Sequence, residues 1–496
     1  MSTRQFRNSY LACVAFVACV LPAQVVQGQT PQATPPPPSA PRSVQFPSPV
    51  EQTLGNGLRV IVIERSNSPL VTAQLLIKNG GEVDPSELSG LADLTSNLLT
   101  KGTETRDATQ IADAIEALGG SLDSGARWDA STATVGVSSP KIADAMKILA
   151  DVVRKPTFKT DEIERLRQQY LDNLTVGLGQ PGTIARYVAG RVVFGDAPYG
   201  HPIAGTPESL ARISRDDIVK LHATYYRPDN AILVIGGDIK AKDAFELAKT
   251  NFGDWKKPAT PLPTLNAASS ESGVNKSGRV LVIDKPDAGQ AAVYLVRTGI
   301  NRKDPDYFRG IVTNSVLSGY SGRLNQEIRI KRGLSYGAAS TLDTRRDVGA
   351  FAASAQTKNQ SGAQVADLLI GEMERLSSSP PSETELTPRK AVLIGNFSRN
   401  LETVNGLVGQ VSSLALYGLD LNEINRYIEN VQTISTADVQ KFASTRLEAK
   451  GANIIIVGNA KEFLPELSKH FQNVEVIPVA ELDLNSAMLR KKKASE

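Results

Sequence analysis

Asp93 and Asn97 stand four residues apart in SGLADLTSNLLTKGT (residues 89–103), a spacing that sets two side chains beside each other on one helix face. A carboxylate at that place can ligate a hard cation. An amide, however, is a weak zinc ligand, and Ser96 between them is no general base. Histidine occurs only at His201, His222 and His470, and none has a second His or Glu at metal-ligand spacing, so each reads as structural. No G-x-x-x-x-G-K-[ST] phosphate loop is present. On residue chemistry alone, residues 89–103 read best as an amphipathic core helix.

The element that carries these residues is plain. Leu91, Leu94 and Leu98 fall at i, i+3 and i+7, and Gly102 supplies a stop. Around it, β-branched runs at 58–63, 71–77, 132–137 and 231–236 alternate with helical patterns at 109–118, 140–153 and 159–176. Such alternation fits a two-layer α+β domain.

That domain is expected twice. Arg59–Glu64 (RVIVIE) returns as Arg279–Asp284 (RVLVID), and Asp84-Pro85 as Asp304-Pro305, each 220 residues later. Ile213-Ser214 with Asp217 and Lys220 returns as Ile434-Ser435 with Asp438 and Lys441, and AILVIGG at Ala231–Gly237 as NIIIVG at Asn453–Gly458. A repeat this long indicates a duplicated domain, because solenoid units are far shorter.

Residues 1–28 read as a secretory signal: Arg4 and Arg7, an apolar stretch from Leu11 to Ala23, then a small-residue cleavage site at Val26-Gln27-Gly28. A lipoprotein reading through Cys19 is the weaker alternative. Cys13 and Cys19 are the only cysteines, so a processed chain has no disulfide and no Cys-bound zinc. Residues 29–48 form a Pro-rich spacer, 49–250 a first domain, 251–277 a polar linker, 278–480 a second domain and 481–496 a basic tail. The chain is 41% hydrophobic and 22% charged, with a net charge of +3 that falls to about +1 without Arg4 and Arg7. Neither a nucleic-acid partner nor an anionic membrane surface is indicated, and no later segment is apolar enough to span a bilayer.

The run NGGEVDPSELSGLADLTSNLLTKGT resembles the first helix of the M16 (pitrilysin-like, inverzincin) zinc peptidases, whose active members carry H-x-x-E-H there. Here the five positions read Asp93-Leu94-Thr95-Ser96-Asn97. The helix that bears the family's third ligand, a Glu, resembles DEIERLRQQYLDNL, with Asn173 at the matching position and Asp172 beside it. Both histidines, the base and the third ligand are therefore replaced. In the second copy, SGRLNQEIRIKRGLSY (residues 321–336) resembles the family signature S-R-L-x-x-x-L-R-E-x-x-G-L-A-Y. There the resemblance implies that Arg329 and Tyr336 bind substrate, the guanidinium gripping a carbonyl or carboxylate and the phenol donating to an oxyanion.

The likeness runs from about Glu51 to about Pro478. It implies two homologous α+β sandwich domains arranged as a clam shell, and a B-type, non-zinc subunit of a bacterial pair. The implied partner is an H-x-x-E-H-bearing subunit that holds the zinc, with no cofactor in this chain, a peptide or unfolded protein as substrate, and a periplasmic or secreted location. Two alternatives stand beside it. One is a peptide-binding or scaffold protein without proteolysis, as in the core proteins of respiratory complex III. The other is a self-sufficient peptidase with unconventional ligands.

Overall fold

The computed structural model describes residues 46–264 and 278–491, which belong to one compact unit, Ser43–Glu496. The signal-like residues 1–28 and the apparent cleavage site lie outside the described residues, as do 265–277 of the expected linker.

In the first half the strands are β1 (Val50–Thr53), β2 (Arg59–Glu64), β3 (Leu70–Ile77), β4 (Ser121–Ala126), β5 (Ser131–Ser138) and β6 (Ala231–Gly237). They form a sheet of order β1-β2-β6-β3-β5-β4. The second half contributes β7 (Val280–Asp284), β8 (Ala291–Thr298), β9 (Ala338–Leu342), β10 (Ala350–Thr357), β11 (Asn453–Gly458) and β12 (Val474–Pro478), in the order β12-β7-β11-β8-β10-β9. Five strands follow the same order in both sheets. The outer strand differs: β1 joins β2 antiparallel, whereas β12 joins β7 parallel from the far end of the chain. At the opposite edges β4 and β9 each pair with one strand only; on β9 the Ala338 and Ser340 N–H groups donate to Asn325 Oδ1 and Ser318 Oγ instead.

Alternation along the strands decides what covers each face. Val60 and Val62 of β2 pack with the first half's own helices, including Leu91–Leu98 and Ile142–Arg154. Ile61 and Ile63 point the other way, into a cluster with Val404, Leu407, Val408 and Val411 of the helix Val404–Leu416 from the second half. The exchange is mutual. The helix Pro181–Phe194 of the first half lays Ile184, Val188 and Val192 against Leu281, Ile283, Ile455 and Val457 on the second sheet. Each such side chain contributes about 1.5–3 kcal/mol of gross burial, so the two crossed helices hold the halves together far more strongly than any polar contact between them. Neither helix stood out in the sequence, because apolar residues lie on more than one of their faces.

Both equivalent helices Arg215–Tyr225 and Thr436–Arg446 start with a capping box, Ser214 with Asp217 and Ser435 with Asp438. Among the described residues no helix is long and apolar enough to cross a membrane.

Candidate functional site

The helix Leu91–Leu98 begins at Gly90, whose φ of 95° and close approach to the Gly205 backbone leave no room for a side chain. Asp84, buried, caps the start: its two carboxylate oxygens accept from the backbone N–H of Gly90 and of Ala92, each at 2.8 Å. Burial pushes the Asp84 carboxyl well above its ordinary range, while those two hydrogen bonds pull it back. Leu91, Leu94 and Leu98 all enter the core as their spacing requires.

Asp93 and Asn97 do meet. Asn97 Nδ2 lies 3.1 Å from Asp93 Oδ1, and Tyr170 on the helix Thr160–Leu178 closes the group. The Tyr170 hydroxyl donates to Asp93 Oδ2 at 2.9 Å and accepts from Asn97 Nδ2 at 2.9 Å. The Ala126 N–H also donates to Asp93, whose carboxyl is raised by burial and lowered in turn by these partners. Asn173, the expected third position, is exposed one helical turn beyond Tyr170, and Asp172 is bonded to Gln168 instead. Tyr170, three residues before Asn173 and not singled out in the sequence, is thus the residue that faces the pair. Ser96 is 0% exposed, turned into the core beside the Tyr226 phenol.

Zinc does not fit this donor set. The group holds one carboxylate, and both of its oxygens already face hydrogen-bond donors. The nearest neighbours are an amide N–H₂ and a phenol rather than imidazoles. Among the described residues there is no group of three or more His, Cys, Asp or Glu able to hold a metal ion.

Arg329 and Tyr336 sit in the opposite situation. Arg323–Asn325 opens a helical turn that widens into a π-helical turn at Gln326–Ile330, on which Arg329 is half-buried. Its neighbours Lys331 and Arg332 both pair with Glu327, but Arg329 has no ion pair among the described residues; it lies 5.4 Å over the exposed Tyr320 ring. Tyr336 is 89% exposed and leads directly into the edge strand β9. No hydrogen bond links Arg329 or Tyr336 with Asp93, Asn97 or Tyr170.

A cleft of about 1120 Å³ opens between strands β4 and β5, the helix Val404–Leu416 and the loop after β9. At its back lies a cluster that the sequence did not single out. Arg346 reaches from the second half to Glu82 Oε1 (3.0 Å) and to the carbonyls of Lys78 and Asp129, while Asp129 accepts from Tyr199, Tyr417 and the Arg346 N–H. Burial pushes the Glu82 carboxyl up to about 7 against the pull of Arg346. Arg345 stacks within 4.5 to 5.0 Å of Trp128, Tyr199 and Phe194. Glu82 and Arg346 are 264 residues apart, so only the fold brings them together.

The histidines are held by structure. His201 is wedged between the carbonyls of Gly81 and Pro202, His222 donates to the Val153 carbonyl, and burial lowers both rings to about 4. His470 pairs with Asp367 on the surface. Two letter patterns need their context. Gly333–Gly337 spells G-x-S-x-G, but it is a loop before β9, and Ser335 Oγ is bonded to its own Gly337 rather than to a histidine. Residues 177–182 spell G-x-G-x-x-G, but they join two helices instead of a strand to a helix.

Two family models match the chain. One, described as insulinase (peptidase family M16), covers residues 59–177; the other, described as the peptidase M16 inactive domain, covers residues 212–393. An uncharacterized zinc protease of Mycobacterium leprae is 25% identical over 419 residues, covering 83% of this chain and 93% of that protein. A non-peptidase homolog from Helicobacter pylori is 23% identical, also over 419 residues, covering 82% and 94%. Among solved structures, a peptidase M16 inactive domain from Pseudomonas fluorescens matches with a TM-score of 0.76 at 25% identity, over 83% of this chain and 98% of that one. A protease from Helicobacter pylori shares the fold with a TM-score of 0.76 at 22% identity, over 83% and 100%. The chain belongs to peptidase family M16.

Proposed function

We propose that this chain is a catalytically incomplete M16 subunit. It pairs with an H-x-x-E-H-bearing zinc subunit to form a periplasmic peptidase, holds the peptide, and contributes Arg329 and Tyr336 to the shared site. The observation that carries this reading is the contrast in hydrogen bonding: the Asp93 carboxylate is saturated by Tyr170, Asn97 and Ala126, while Arg329 lacks a carboxylate partner and Tyr336 stands in solvent. The cleft of about 1120 Å³ over strands β3, β4 and β5 supports a peptide-holding role. The matching sheet orders support a duplicated ancestry, and the composition of residues 1–28 supports export.

In this reading zinc belongs to the partner and not to this chain. The isolated protein is expected to bind no stoichiometric zinc and to cleave no peptide. Elemental analysis that found one zinc per chain, lost together with activity on Asp93→Ala, would overturn it. The name of the Helicobacter non-peptidase homolog favours a second reading, a scaffold without proteolysis. The two part on whether Arg329 and Tyr336 matter in the mixed complex.

A further inference from the structure

Tyr320 is 72% exposed, yet the turn that carries it is held from beneath by two buried side chains. Asn325 donates to the Tyr320 carbonyl at 2.6 Å and accepts from the Ala338 N–H at 3.4 Å. Arg389 donates to the Ser318 carbonyl at 3.3 Å and to Ser321 Oγ, and Ser318 Oγ accepts from the Ser340 N–H. At Gly322 the backbone folds so closely that a Cβ would stand 2.2 Å from the Ser318 carbonyl oxygen. These contacts fix where the ring stands without burying it. A tyrosine on a fixed backbone has only two side-chain torsions left to order, so it is presented at low entropic cost.

What it stands beside is Arg329, whose guanidinium carbon lies 5.4 Å from the ring centroid, within the range of a cation–π contact. The neighbouring cations are held differently. Lys331 and Arg332 both donate to the Glu327 carboxylate. A carboxylate holds a cation by taking its N–H donors, whereas an aromatic face attracts the charge itself. Arg329 is therefore restrained with its donors unspent.

We infer that Tyr320 is a positioning residue for Arg329: its ring holds the guanidinium in place for a carbonyl or carboxylate of the peptide. The inference rests on the peptide-binding role proposed above for Arg329.

The test is steady-state peptide cleavage by this chain reconstituted with the zinc subunit proposed for it. Tyr320→Ala, Tyr320→Leu, Tyr320→Phe and Arg329→Ala are compared, with Tyr320→Ala also made in the Arg329→Ala background. Tyr320→Ala and Tyr320→Leu should each raise KM about threefold, the scale of one exposed cation–π contact, with kcat unchanged. Tyr320→Phe keeps the ring and should match the parent. In the Arg329→Ala background Tyr320→Ala should add nothing, because its effect runs through the guanidinium. Melting temperatures should not move, since Asn325 and Arg389 hold the turn without the ring. A parent KM in Tyr320→Ala or Tyr320→Leu, a raised KM in Tyr320→Phe, or an undiminished effect in the Arg329→Ala background overturns the inference. A lowered melting temperature with kcat and KM both changed makes Tyr320 structural and overturns it too. If Arg329→Ala itself leaves KM unmoved, or the reconstituted pair cleaves nothing, the reading of Arg329 fails and takes the inference with it.

Discussion

The helix Leu91–Leu98 and the turn Arg323–Tyr336 are the two places that the M16 resemblance marks as a zinc helix and a substrate-binding stretch, and in this chain they are built in opposite ways. In the first, each polar side chain has an internal employment: Asp93 binds Tyr170 and Asn97, and Asp84 caps the helix. Such a cluster contributes to stability and has nothing left to offer a ligand. In the second, Tyr336 stands in solvent and the half-buried Arg329 lies over the Tyr320 ring with no ion pair among the described residues. A guanidinium without an ion pair and a phenol in solvent remain available to something outside the fold. Position in the family's site is thus a poor guide to use. Whether the hydrogen-bonding capacity is spent inside the chain is a better one.

The contrast can be broken or sharpened by stability measurements. The largest effect is expected at Glu82, which joins the closed side of the molecule to the second half. Its folded value is about 7 against 4.5 for the free side chain, because burial outweighs Arg346. The folded state therefore binds this proton more tightly than the unfolded state does. Stability from Glu82 is fully present below about pH 4.5 and is lost as pH rises through about 7, a swing of about 3 kcal/mol. Glu82→Gln should flatten that share of the decline, read as the difference between urea denaturation midpoints of variant and parent at low and neutral pH. A variant with the parent's slope would remove Glu82 from the account.

Next comes Asp93→Ala. It strips an acceptor from Tyr170, Asn97 and the Ala126 N–H, and a loss of about 2 kcal/mol is expected. Arg329→Ala and Tyr336→Phe lie at the small end, within about 0.5 kcal/mol of the parent. If Arg329→Ala destabilised the fold as much as Asp93→Ala, the supposed openness of the second site would be wrong.

Much of this was legible in the sequence. The Leu91, Leu94 and Leu98 stripe, the β-branched runs and the paired Ser-x-x-Asp caps are local patterns, and they form the elements they announce. β4 escaped notice because SLDSGA has no apolar alternation; it is an edge strand with its side chains partly wet. The crossed helices, Tyr170 opposite Asp93, and Arg346 on Glu82 depend on which elements pack together. Tyr170 also shows how a helix misleads: Asn173 lies on nearly the same face, and the longer side chain one turn earlier makes the contact. Letter patterns alone carry little, since Gly333–Gly337 and residues 177–182 spell motifs without the strand–turn–helix setting that gives them meaning.

The measurement that bears most directly on the central claim is steady-state peptide cleavage by this chain reconstituted with the zinc subunit proposed for it. Asp93→Ala, Arg329→Ala and Tyr336→Phe in this chain should be compared, each checked for complex formation. The account predicts that Asp93→Ala leaves kcat and KM of the intact complex near the parent values. Arg329→Ala should raise KM, and Tyr336→Phe should lower kcat about 100-fold, the scale of one lost oxyanion donor. Wild-type kinetics for both Arg329→Ala and Tyr336→Phe in an intact, active complex would contradict the account and leave this chain a scaffold.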